Sequence, residues 1–191
     1  LLTMTIAIVV SLPLGVIAAL NQDRWLDYIA RTMTILGLAL PNFWVALLVI
    51  LGLVLFFHWS PPIIYVNLWQ EPWTYLQIAI WPAMVLAWGF SSYIARVTRG
   101  SMLEVLRQDY VRTAYSKGLN QYTVVWRHAL RNALIPVITL IGGYLGSLLG
   151  GTVILESIFG MPGMGQGIVQ AATVRDYPVI QSLAMLLVFL A

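Results

Sequence analysis

The sequence predicts an all-α, polytopic membrane protein, and three observations carry that expectation. Sixty percent of the 191 residues are hydrophobic and 9% are charged, with a mean hydropathy of +0.86, whereas about a quarter of an ordinary soluble domain is charged. Four stretches carry no charge at all: 1–20, 33–57, 75–95 and 133–155. Each holds about 20 residues or more, enough to cross a hydrocarbon core of roughly 30 Å at about 1.5 Å per residue. The basic residues, finally, fall almost entirely on one side of the spans so defined.

The first span, 1–20, has neither the basic leader nor the small-residue cleavage site of a signal peptide, so it is expected to remain as a helix. It is followed by a polar loop, 21–32, holding Arg24 and Arg31. The second span, 33–57, leads to a loop, 58–74, without a basic residue; the third, 75–95, leads to a long polar segment, 96–132. After the fourth span, 133–155, a Gly- and Pro-rich stretch carries Arg175 alone before a fifth apolar run, 177–191. Loops 21–32 and 96–132 share a face and hold nine of the ten Lys and Arg, which by the positive-inside rule makes that face cytoplasmic. Trp59, Trp69 and Trp73 beside the opposite loop, and Trp25 near the basic face, suit the interface. Because the chain opens inside an apolar run and stops within its fifth span, a fragment of a longer protein is expected.

Several function classes drop out. Without cysteine there is no disulfide, thiolate metal site or Cys nucleophile. His58 and His128 are the only histidines, neither HExxH nor GxSxG is present, and so neither catalysis nor a metal site is expected of this chain. The net charge of +3 resides in membrane-flanking loops, which argues against nucleic acid as a partner. No Asp, Glu, Lys or Arg lies near the middle of a full span, where one would cost about 2.5 to 3.5 kcal/mol. That absence argues against a proton-coupled carrier with a buried carboxylate relay.

Segment 96–132 is too long for a simple helix connection and requires structure of its own. Ser101 followed by Glu104 fits a capping box, and Leu103, Leu106, Tyr110 and Ala114 recur at helical spacing, which predicts an amphipathic helix over about 101–117. Gly118 supplies the positive φ that ends a helix, and Asn120 can cap a second one over 121–132. On the residues alone two readings stay open: a basic helix lying on anionic headgroups, or an elbow that docks into another protein.

Four stretches in order, 106–119 (LRQDYVRTAYSKGL), 127–139 (RHALRNALIPVIT), 150–165 (GGTVILESIFGMPGMG) and 175–181 (RDYPVIQ), resemble type I ABC importer permeases of the oligopeptide, dipeptide and nickel subfamily, in the B-type subunit. The chain departs from the broader family's EAA loop at Arg112 and Thr113, where Glu and Ala are usual. It also has Arg131 at the usual Pro, with Pro136 nearby. Both departures are similar to the peptide and nickel subfamily. The resemblance implies a type I ABC importer transmembrane domain with about five of six helices present, multi-pass in a bacterial or archaeal cytoplasmic membrane. It implies a permease subunit, not an enzyme, for peptides or a similar small solute, with nickel, glutathione or sugar as alternatives in the same machinery. An ATP-independent channel or carrier is the remote alternative.

The implied partners are a second permease subunit, two cytoplasmic ATPase subunits that hold the ATP and Mg, an extracytoplasmic solute-binding protein and the lipid bilayer. The chain itself needs no cofactor. The cytoplasmic loop, 97–132, is implied to be the coupling element, with Arg112, Thr113, Ala114, Lys117, Gly118 and Leu119 at or near the ATPase and Ala114 small for close approach. Gly142, Gly146 and Gly150, and Gly143, Ser147 and Gly151, recur every four residues, which allows either helix packing or a pathway lining. Asn42, Gly143, Ser147 and Gly151 are the candidates for that lining. In the outer loop, Glu156, Pro162 and Gly163 are singled out, with Glu156 expected either to cap a helix end or to meet the binding protein. Pro13, Pro41 and Pro82 can bend their helices.

Overall fold

The computed structural model describes residues 1–60, 69–150 and 153–190, and every regular element among them is helical. The helices are α1 (Leu2–Leu20), α2 (Trp25–Ala39), α3 (Asn42–Phe57), α4 (Pro72–Leu106), α5 (Asp109–Ser116), α6 (Gln121–Thr123), α7 (Leu130–Gly150), α8 (Val153–Phe159), α9 (Met164–Thr173) and α10 (Tyr177–Leu190). A π-helical turn, Val124–Ala129, joins α6 to α7 without a break. Leu2–Leu20, Pro72–Leu106 and Gln121–Gly146 are long and apolar enough to cross a membrane, as is the pair α2 and α3 taken as one broken span. This is the helical, multi-pass architecture that the apolar runs predict.

The second span differs from its expected course. Its helix starts at Trp25 and breaks at Leu40, where Pro41 (φ −63°, ψ 135°) becomes the N-cap of α3. Proline lacks the N–H that would continue α2 and pushes the preceding residue out of the helical region. Pro13 and Pro82, by contrast, sit inside continuous helices.

The expected helix over 101–117 is also corrected. Ser101 and Glu104 cap nothing; α4 runs straight through Gly100 to Leu106, 35 residues in all. At about 1.5 Å per residue it is roughly 50 Å long, well beyond the hydrocarbon core. Continuation wins because Thr98 and Met102 on this extension are fully buried, so uncoiling it would expose packed side chains. The chain turns instead at Arg107 and Gln108, and α5 begins at Asp109. Likewise the helix expected over 121–132 does not stop there but runs on as α7 with Pro136 inside it.

Two compact units form. The first holds α1, α2, α4 from Trp88 onward, α5 and the α6–α7 helix to Gly143. In it Val16 and Ala19 of α1 pack with Met102 of α4 and with Val125, Ala129 and Ala133. Two glycines set the closest approaches. A Cβ on Gly15 would lie 2.7 Å from Thr98 Cβ and 2.8 Å from the Ala95 carbonyl, and one on Gly37 would lie 2.8 Å from Ser92 Cβ. Helices in a membrane gain little from excluding water and associate through such close backbone contact.

The second unit holds α3, α4 up to Ala87, the end of α7 from Tyr144, and α8 to α10. Ala46, Val85, Leu155 and Phe159 form its centre, with Trp81 and Ile158 packed against them.

Candidate functional site

The elbow after α4 is built by local chemistry at both ends of a short turn. The α5 helix ends at Ser116, and Gly118 takes φ +79°, a left-handed conformation that side chains with a Cβ adopt at a cost. Gly118 N–H donates to the Tyr115 carbonyl at 2.9 Å and Leu119 N–H to that of Ala114 at 3.4 Å, the paired closure of a Schellman motif. One residue later Asn120 starts the next helix, its Oδ1 accepting from Thr123 N–H at 2.8 Å.

The elbow is held inward by an apolar seam. Val111 of α5 and Val124 of the π-helical turn are fully buried against each other, with Ala114, Val105 and Leu106 around them. Burying one valine contributes about 1.5–3 kcal/mol, enough to seat an eight-residue helix that would not form alone. A polar clamp adds to the seam: Asn132 Nδ2 donates to the Tyr110 hydroxyl at 2.7 Å, tying α5 to α7.

This placement corrects one expectation. Ala114 is 7% exposed and faces the seam, so its small size serves close packing inside this chain, not approach by another. Arg112, Thr113, Lys117, Gly118 and Leu119 are all exposed on the outside of the elbow, and a Cβ on Gly118 would meet nothing. Tyr115 is exposed beside them. Arg112 has only Asp109 at 3.6 Å, both side chains largely in solvent, a pair worth little.

At the outer stretch, α8 closes at Gly160 (φ +65°) and α9 starts after Gly163. Gly163 has no side chain to cap α9, and Glu156 does so from α8: its Oε2 accepts from Gln166 N–H at 2.9 Å. The two glycines make room. A Cβ on Gly163 would collide with the Glu156 carboxylate, and one on Gly165 would lie 3.0 Å from Glu156 Oε2 and 2.9 Å from Val153 Cα. Of the two roles open to Glu156, the helix-capping one is the role seen; Pro162 is exposed beside it. Gly163→Ala is expected to evict the carboxylate and lower stability by about 1–2 kcal/mol, as loss of a helix cap does. Thermal unfolding of the purified protein would check this, with Glu156→Gln losing less because its amide oxygen still accepts.

The pathway candidates fall in different compact units: Asn42 is half-buried at the start of α3 in the second, and Gly143 is exposed in the first. The side chain of Ser147, and Gly151 altogether, lie outside the described residues. Gly142 and Gly143 face open space, with nothing near a Cβ, so their spacing does not mark packing within the described chain.

The strongest electrostatic feature escaped the sequence reading. Asp27, fully buried at the start of α2, accepts from Arg99 Nε at 2.6 Å and Arg99 Nη2 at 2.8 Å, and from Arg31 Nη2 at 2.5 Å. Arg31 also reaches Asp23 at 2.9 Å. The only signal in the sequence was the spacing of Asp27 four residues before Arg31, which puts both on one helix face.

Comparison with known proteins gives a consistent picture. Residues 11–191 match the family described as binding-protein-dependent transport system inner membrane component. A putative peptide transport system permease protein of Brucella suis is 42% identical over 190 residues, covering 100% of this chain and 60% of the relative. The dipeptide transport system permease protein DppB of Bacillus subtilis is 44% identical over 175 residues, covering 92% of this chain and 54% of the relative. The oligopeptide transport system permease protein AppB of the same organism is 39% identical over 188 residues, 97% of this chain and 60% of its own. The chain thus spans no more than 60% of the length of these relatives.

Proposed function

The chain belongs to the family of binding-protein-dependent transport system inner membrane components, and on that premise we propose that it forms one half of the translocation pathway of an ATP-driven importer for peptides. The relatives' names, peptide, dipeptide and oligopeptide permease, support the solute class. A second permease subunit, two ATPase subunits and an extracytoplasmic solute-binding protein complete the assembly, with the basic face toward the cytoplasm of a bacterial or archaeal cell. ATP and Mg are held by the ATPase subunits.

The observation that carries the coupling role is the two-sided elbow. Its inner side, Val111, Ala114 and Val124 with the Tyr110–Asn132 clamp, makes it continuous with α7. Its outer side offers Thr113, Tyr115, Lys117 and Leu119 to solvent. A helix seated this way transmits a rigid-body push into the span, where a loose loop would absorb it. Peptide binding at the outer face and ATP turnover at the inner one then communicate through α7.

The test uses the full-length permease expressed with its second subunit and ATPases. Gly118→Val strains the left-handed turn, and Leu119→Asp alters the outer side without touching the seam. Both are expected to reduce ATPase association, peptide-stimulated hydrolysis and labelled dipeptide uptake several-fold while the permease still inserts. Unchanged association and hydrolysis in both variants would sink the coupling assignment.

A further inference from the structure

A cavity of about 510 Å³ opens in the first unit, between α1, α2 and α4, and is lined by Arg31, Arg96, Arg99, Gln22, Leu14 and Ile35 among others. Its size is in the range of ligand pockets, roughly 300–1,000 Å³. Three guanidinium groups line it, and the carboxylates of Asp23 and Asp27 engage two of them. Arg96 has no carboxylate partner among the described residues; its guanidinium lies over the Tyr93 ring at 5.4 Å. One positive charge is therefore left over.

The cavity lies where α1 runs into the basic loop 21–32, beside Arg96 and Arg99 of α4, and Trp25 and Tyr28 of α2 are 68% and 56% exposed, as side chains at a headgroup layer are. Its wall is amphiphilic, with Leu14 and Ile35 beside the arginines.

We propose that this cavity binds the phosphodiester headgroup of an acidic phospholipid, with the uncompensated Arg96 guanidinium facing the phosphate and the Leu14 and Ile35 wall taking the glycerol and upper acyl carbons. A basic pocket between membrane helices on the anionic leaflet is a recurring lipid site. A free phosphate would use the arginines but leave the apolar wall in water. The proposal rests on the membrane reading of the chain and on which face is cytoplasmic, not on the transported solute or on the elbow's role.

The experiment takes full-length permease, stripped of lipid in detergent and reconstituted in nanodiscs of equal phosphatidylglycerol and phosphatidylcholine, with bound lipid counted by native mass spectrometry. The expected result is at least threefold enrichment of phosphatidylglycerol in the wild type. Arg96→Gln should bring that ratio near one, and Ile35→Trp, which fills the exposed rim, should reduce it too. Arg107→Gln, which removes an exposed charge elsewhere on the same face, should leave it unchanged, as should excess inorganic phosphate. The idea is overturned by equal enrichment in the wild type and Arg96→Gln, by an equal loss in Arg107→Gln, or by displacement with inorganic phosphate. Absence of any enrichment overturns it as well, since the rest of the full-length chain would then occupy the space.

Discussion

Arg99→Ala is expected to destabilise the protein by about 3 kcal/mol, read as a lower thermal or denaturant midpoint of the purified permease. Truncating one partner of a buried ion pair costs about 3–5 kcal/mol because the remaining charge stays desolvated. The low end applies because Arg31 continues to hold Asp27. Asp27→Asn removes the charge itself and should be milder.

Gly37→Ala should cost about 2 kcal/mol, within the usual range for overpacking. The added methyl would collide with Ser92 Oγ and lie 2.8 Å from Ser92 Cβ and 3.2 Å from Trp88 Nε1. Rotating the serine relieves only the first clash, and it breaks the hydrogen bond that Ser92 Oγ donates to the Trp88 carbonyl at 2.8 Å. The diagnostic is the pair: Ser92→Gly removes both offending atoms, so the double variant should be more stable than the two single effects summed, by about 1 kcal/mol or more. Additivity of the two would show that α2 and α4 do not approach as closely as described. Gly142→Ala, at a position open on all sides within the described chain, is the control and should be close to neutral or stabilising.

What the sequence revealed depended on range. The helix stop at Gly118 and the cap at Asn120 involve atoms within five residues of each other, so spacing alone exposes them. The direction of Ala114 did not show, because its partner Val124 is on the next helix, beyond the turn. The capping-box pattern at Ser101 and Glu104 misled for a related reason: a local start signal lost to the burial of Thr98 and Met102 one turn away. Regular spacing drew notice to Gly142 and Gly143, where an added Cβ would meet nothing among the described residues, while Gly15 and Gly37, without a repeat, make the tight crossings. Charge arithmetic found the basic face, but the pairing of Asp27 with Arg99, 72 residues apart, is a property of the fold.

The elbow has a buried side and an exposed side: Val111, Ala114 and Val124 pack inside this chain, whereas Thr113, Tyr115, Lys117 and Leu119 are open to solvent. Such a part is modular: its outward letters can drift, or be grafted from another transporter, without disturbing the scaffold beneath. On the coupling role proposed above, a permease redirected to a foreign motor would need changes among Arg112, Thr113, Tyr115, Lys117, Gly118 and Leu119 and none in its seam.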